Sequence, residues 1–377
     1  MTVKRPPVHI VRAVALLGCV AALSVIAALE FAEMWEPDRI FPGEGVTRIG
    51  ELSEYHADLR GTRYDARVFY LEGDEPGGTA LVLGGTHPNE TAGFMAALLL
   101  VERALVSHGR LIVIPQACSS GFTCTDPLEA YPQSFELTTA SGVRTFRYGA
   151  RAANWVDQWP DPLVFLQYPS EQQLSGFETR NLNRAYPGRP DGTLTEQTAY
   201  AIMELIRREK VDVAIDLHEA APEFPNVNAI VTHEKGQDLA AHAVLALEFE
   251  DLQFSLELSP QNFRGLSHRE WGDRTEAIPF LMETSNPIQG RLRGRTSAEL
   301  LVTGRDSLYA RAARSGVMRV TYDQGGEPLE RRVGRHLAGI RALLEAYNGS
   351  RVERPVMLTD VPSYDDLVAR GVGAFLH

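Results

Sequence analysis

The chain has 377 residues, enough for one large α/β domain or two modest ones. Its apolar fraction of 44% is that of a globular protein with a substantial core. The formal charge is −12 with Lys and Arg scattered, which argues against a nucleic-acid footprint and leaves any anionic substrate group to local arginines.

Lys4, Arg5 and Arg12 precede an apolar stretch over residues 13–29. Residues 1–30 therefore read as a signal anchor or a signal peptide. No clean A-x-A site follows, which favours an uncleaved anchor; a cleaved signal is the alternative. Basic residues before the span place the N-terminus in the cytoplasm and the remaining chain on the extracytoplasmic, periplasmic side. Residues 31–62 read as a linker leading into the fold. Residues 63–377 read as one folded domain, with a helical and loop extension from about 290 onward.

Residues 63–71 alternate as a strand does. Gly73-Asp74-Glu75-Pro76-Gly77-Gly78 predicts a turn. The apolar run 80–83 predicts a buried strand, 91–106 a helix and 110–115 another strand. This order suggests a largely parallel sheet covered by helices. Residues 116–190 are loop-like, and a loop region of that length is usually functional or partly disordered. Within it, Cys118 and Cys124 flank a short flexible loop and read either as a disulfide or as two free thiols. Further on, 195–210 predicts a helix and 211–217 a strand. Strands at 228–231 and 254–258 bracket a helix over 237–247. The last convincing strand is 278–282, and 332–347 is an amphipathic packing helix.

Polar residues with metal chemistry close three of these strands. Gly84-Gly85-Thr86-His87-Pro88-Asn89-Glu90 follows the first, His218 closes the second and Glu283 the third. Ligands gather at the carboxyl ends of strands in open α/β sheets, so residues far apart in sequence can converge there. Two imidazoles and a carboxylate form the ligand set of a catalytic zinc that keeps a position for water. His87, Glu90 and His218 are the expected ligands of one Zn2+ per chain. Glu283 is the expected general base, and Asp216 can orient an imidazole. Between the second and third ligands, Thr179-Arg180-Asn181-Leu182-Asn183-Arg184 supplies planar guanidinium forks suited to a carboxylate or an oxyanion. Asn183 and Arg184 are assigned to substrate binding and Arg180 to the oxyanion. Arg184 could instead pair with Glu178 or Asp191. Should Glu283 not be the base, Glu178 or Glu219 comes next. His233, His242 and His268 read as structural or exposed. Arg291, Arg293 and Arg295 read as a solvated loop or as a lid over an anionic substrate.

The ordered set Gly85-Thr86-His87-Pro88-Asn89-Glu90, Asn181-Leu182-Asn183-Arg184, Asp216-Leu217-His218 and Phe280-Leu281-Met282-Glu283 resembles the zinc carboxypeptidase superfamily, and within it the succinylglutamate desuccinylase/aspartoacylase branch. The resemblance covers residues 63–290. It implies an α/β fold with a mixed, largely parallel central sheet flanked by helices. It also implies zinc-dependent hydrolysis of an amide bond in a small carboxylate-bearing substrate. Three departures stand out. Asn181 occupies a place where the branch usually has Asp. Arg180 lies closer to the Asn-Arg pair than the usual oxyanion arginine, and Arg151 competes for that role. From Thr284 onward the chain reads as helix and loop, more like a carboxypeptidase end than the β-rich domain of the desuccinylases. The expected activity is thus an N-acyl amino acid deacylase or a metallocarboxypeptidase acting on peptides or cell-wall peptides. A catalytically silent zinc-binding envelope protein is the reading from another class.

Overall fold

The computed structural model describes residues 7–125 and 132–377. It divides the chain into two compact units, Met1–Pro37 and Asp38–His377. The first holds the helix Val8–Glu33, 26 residues long, with a mean hydropathy of 2.4 over its most apolar window. By length and composition it can cross a membrane. Lys4 and Arg5 lie outside the described residues; Arg12 falls within the helix.

In the second unit the strands, in chain order, are β1 (Arg48–Glu51), β2 (Arg67–Glu72), β3 (Glu75–Leu83), β4 (Leu105–Ile114), β5 (Ser134–Thr139), β6 (Gly142–Arg147), β7 (Val164–Gln167), β8 (Gln172–Ser175), β9 (Val213–Ala220), β10 (Ala229–Thr232), β11 (Ser255–Leu258), β12 (Ile278–Ser285) and β13 (Met357–Thr359). Nine of them form one mixed sheet in the order β1-β2-β4-β3-β9-β12-β10-β11, with β13 paired to β4. The centre, β4-β3-β9-β12, is parallel. Toward the edges, β1/β2, β2/β4 and β10/β12 are antiparallel.

Alternation along the strands explains the layers. Ala80, Val82, Val213, Ile215, Phe280 and Met282 enter one core, together with the helices Thr91–Arg103, Gln237–Phe249 and Leu329–Ser350. Leu81, Leu83, Ile112, Ile114 and Ala214 face the other way, against the helix Leu194–Arg208 and Trp271 of the helix Ser267–Arg274. The helix Thr91–Arg103 is buried along nearly its whole length, and Gly93 lets it come close to β9. A Cβ on Gly93 would meet the Leu217 carbonyl oxygen at 2.5 Å. This approach brings the residues just before the helix beside His218, the residue after Leu217. Gly85 takes φ +65°, a left-handed turn that carries the chain from β3 toward His87.

Three sequence expectations need correction. Residues 38–62 are part of the folded unit and not a linker. Leu52 and Leu59 are fully buried, β1 joins the sheet edge, and the Asp38 carboxylate accepts bonds from Gln116 Nε2 and Arg147 N. Residues 116–190 contain two hairpins, β5–β6 and β7–β8. Finally, β9 and β12 run through His218 and Glu283 and do not stop before them, because the polar side chains there line a buried site. Cys118 and Cys124 are buried free thiols.

Candidate active site

Register across β9, β12, β10 and β11 lays out one face of the sheet in two rows. Cα partners side by side give His218–Glu283–Ala229–Ser255 as one row and Asp216–Leu281–Val231–Glu257 as the next. Glu283 is therefore the direct cross-strand neighbour of His218. His87 and Glu90 reach the same place from the turn after β3. His87, Glu90 and His218 are all buried, and their ligand atoms lie within 4.8 Å of one another.

A hydrogen-bond partner behind His87 and an ion-pair partner behind His218 select which nitrogen each presents. His87 Nε2 is 2.9 Å from Asn181 Oδ1, an oxygen that also accepts from Asn183 N. The Asn181 amide is oriented by its Nδ2, which donates to Glu178 Oε2 at 2.7 Å. His87 must therefore donate from Nε2, which leaves the Nδ1 lone pair facing the cluster. His218 Nε2 lies 3.0 Å from Asp216 Oδ2, and its Nδ1 faces inward. Asp216 is itself fixed by Thr86 Oγ1 at 2.7 Å and Ser267 Oγ at 2.5 Å. Within the cluster, His87 Nδ1 is 2.8 Å from Glu90 Oε1, His218 Nδ1 is 2.8 Å from Glu90 Oε2, and the two Nδ1 atoms are 3.2 Å apart.

Electron-pair donors that converge this closely call for positive charge among them. Burial works against a charged His218, yet Asp216 and Glu90 hold its imidazole well above its ordinary range. Burial likewise opposes a charged Glu90, but His87 and His218 hold it well below the usual carboxylate range. Burial and the Arg151 guanidinium push His87 down to about 4, so this imidazole is neutral near pH 7. A neutral imidazole, an ionised carboxylate and a second imidazole oriented by a carboxylate are the donor set that zinc prefers.

A cavity of about 360 Å³ opens over the cluster, lined by Arg151, Asn183, Arg184 and Glu283 as well as the cluster itself. Glu283 Oε1 accepts from Asn226 Nδ2 at 3.3 Å, and its buried Oε2 has no partner. Burial, with the Glu90 carboxylate nearby, pushes Glu283 up to about 8. Arg184 lies over the Phe263 ring at 4.9 Å and donates to the Asn183 carbonyl. The Asn183 Oδ1 is taken by Ser267 N at 2.8 Å, so its NH2 is the end that can serve a ligand.

Arg180 is the exception among the expected residues. It is buried away from the cavity, with Nε and Nη2 on the Asp161 carboxylate at 2.7 and 2.9 Å and Nη1 on the Ala153 carbonyl. Two residues of spacing place it behind the Asn183–Arg184 turn, where a buried guanidinium needs fixed acceptors. Arg151 lines the cavity instead and donates to Glu90 Oε1 at 3.1 Å. Glu219 also lines the cavity, but Ala92 N, Asn286 Nδ2 and Arg332 Nη1 already occupy its carboxylate. His268, expected to be structural or exposed, is buried in the cavity wall. No spacing signal links it or Asn226 to the motifs; both reach the site through tertiary packing. Arg291, Arg293 and Arg295 are not among the cavity-lining residues.

No protein-family model matches the chain, and no curated protein is significantly similar to it. Solved structures with a similar arrangement include the ectoine utilization protein EutE (DoeB) of Ruegeria pomeroyi, 21% identical over 58% of this chain and 54% of that one, TM-score 0.37. A succinylglutamate desuccinylase of a Silicibacter species is 21% identical over 58% and 54%, TM-score 0.36. The cell shape determinant protein Csd4 of Helicobacter pylori is 12% identical over 81% and 58%, TM-score 0.47. The matched part of this chain spans little more than half the length of each of these proteins.

Proposed function

We propose that this chain is a zinc-dependent hydrolase that cleaves an amide bond in a small carboxylate-bearing substrate, in the manner of an N-acyl amino acid deacylase. The observation that carries the reading is the convergence of the His87, Glu90 and His218 ligand atoms beside the unpartnered Glu283 Oε2 in one cavity. Zinc held by His87, Glu90 and His218 would act as a Lewis acid, lower the pKa of water toward about 7 and, by its charge, bring the raised Glu283 carboxyl back down so that it is ionised. The protein's own groups account for the rest. Glu283 accepts a proton from the attacking water as the water oxygen bonds to the carbonyl carbon. The same carboxyl then returns the proton to the leaving nitrogen as the C–N bond breaks. Arg184 and the Asn183 amide hold the substrate carboxylate, and Arg151 takes the oxyanion role first expected of Arg180.

A second reading, a carboxypeptidase acting on peptides, draws support from the length of the cavity. Its lining reaches Glu257 and Leu258 on β11, the sheet edge, which gives a longer substrate somewhere to lie. In both readings the helix Val8–Glu33 anchors the protein in a membrane, with the catalytic unit outside the cytoplasm. The deciding experiment offers the zinc-loaded protein a mixed panel of N-acyl amino acids and short peptides. Turnover of the first group with little of the second supports the deacylase; the reverse supports the carboxypeptidase. No turnover of either, with zinc bound, would leave a silent zinc-binding protein.

A further inference from the structure

His268 opens the helix Ser267–Arg274 and has no part in the chemistry above. It is 4% exposed, it lines the cavity, and neither ring nitrogen has a hydrogen-bond partner. Buried polar atoms in folded proteins are nearly always paired, so a ring left open at both nitrogens next to a cavity points to a ligand. Its backbone is held firmly. Ser267 is tied through Oγ to Asp216 and through N to Asn183 Oδ1, and Trp271, one turn on, is fully buried. The helix packs across β9, β12 and β10, the strands that carry Asp216, Leu281 and Val231.

We propose that His268 is a specificity-determining residue that hydrogen-bonds an uncharged amide group on the substrate's side chain. The argument rests on the hydrolase reading only in calling the ligand a substrate. Burial pushes the imidazole down to about 3, so near neutral pH it offers one N–H and one lone pair. An amide complements both, because it accepts through its oxygen and donates through its nitrogen. An anionic group could accept from the ring N–H but has no hydrogen to offer the ring's lone pair, and the Asp216 charge that acts on the ring opposes it. A cationic group would meet Arg184 and Arg269, whose charges already act on the ring, and could not use its N–H. An aliphatic group would leave both nitrogens unpaired. Sites built to hydrogen-bond a group discriminate strongly against analogues that lack it.

The test uses the full-length, zinc-loaded Glu283→Gln protein, so that binding is read without turnover. Calorimetry compares N-acetylglutamine with N-acetylmethionine and N-acetylglutamate, and alanyl-glutamine with alanyl-methionine and alanyl-glutamate. The glutamine compound of at least one series should bind tenfold or more tightly than its two matches. His268→Leu should erase that preference with zinc content unchanged, and His268→Gln, which keeps a donor and an acceptor, should retain part of it. The proposal is overturned if glutamine compounds bind no better than their matches, if none of the six binds, or if the preference survives His268→Leu. Should His268→Leu fail to fold, loss of the preference in a folded His268→Phe protein carries the same decision. Absence of turnover by the wild-type protein would count against the hydrolase reading alone.

Discussion

Asn181 and Asp216 decide which nitrogen each histidine offers to the cluster, and their effect is measurable. Removing a group that orients a metal-ligating histidine typically costs about 10–100-fold in metal affinity. Asn181→Ala should weaken zinc binding by that order, because His87 Nε2 loses the acceptor that fixes its tautomer. Competition with a chromophoric chelator measures it, and unchanged affinity would show that the His87 orientation is set elsewhere. The place where this chain departs from the Asp of its resemblance thus makes physical sense: an amide can accept from His87 and donate to Glu178 at once. Glu283→Gln separates base from ligand. Glutamine is nearly isosteric but cannot take the water's proton, so turnover should fall on the order of 100- to 10,000-fold with zinc retained. Loss of zinc from this variant would instead make Glu283 a ligand.

At the scale of elements, the site hangs on contacts between the sheet and the C-terminal helix. Arg332, on the helix Leu329–Ser350, is fully buried and donates from Nη1 to Glu219 Oε1 at 2.8 Å. Glu219 in turn follows His218 in β9, and its backbone N–H donates to Glu90 Oε2 at 3.1 Å. Removing one partner of a buried ion pair leaves the other uncompensated, at a cost of about 3–5 kcal/mol. Arg332→Met should therefore lower the urea-unfolding free energy by that order, and adding Glu219→Gln should recover part of the loss. Equal stability of Arg332→Met and wild type would mean that the pair is replaced by solvent. The motifs before and within the strands were legible in the sequence because strand ends collect polar ligands in α/β sheets. What stayed hidden depends on packing at a distance. Arg180 and Arg151 are the same residue type, and only the Asp161 carboxylate and the Ala153 carbonyl tell them apart. Residues 116–190 looked like loop because β5–β8 are short, 4 to 6 residues each, and lie outside the main sheet.

For the molecule as a whole, the two units imply different environments. The unit Asp38–His377 buries an extensive core on both faces of its sheet. The helix Val8–Glu33 has no buried residue within its own unit, and its apolar side chains include Val8, Leu16, Leu23 and Leu29. Twenty-six helical residues at about 1.5 Å each outspan the roughly 30 Å hydrocarbon core of a bilayer. Between Arg12 and Glu30 the helix carries no charged side chain, so a lipid environment can solvate that stretch without an uncompensated charge. In the proposed orientation, Arg12, with Lys4 and Arg5 before it, holds the N-terminal end on the cytoplasmic side. The full-length protein should therefore sediment with membranes, resist extraction by high salt and be released by detergent. A C-terminal reporter that works only outside the cytoplasm should be active, whereas activity of a reporter that works only in the cytoplasm, fused at the same place, would reverse the orientation. A signal that is removed gives a different pattern: a soluble protein whose mature N-terminus, read by sequencing, lies beyond the apolar stretch. An N-terminus still at Met1 in the membrane fraction would establish the anchor, because a removed signal leaves no Met1 on the mature chain.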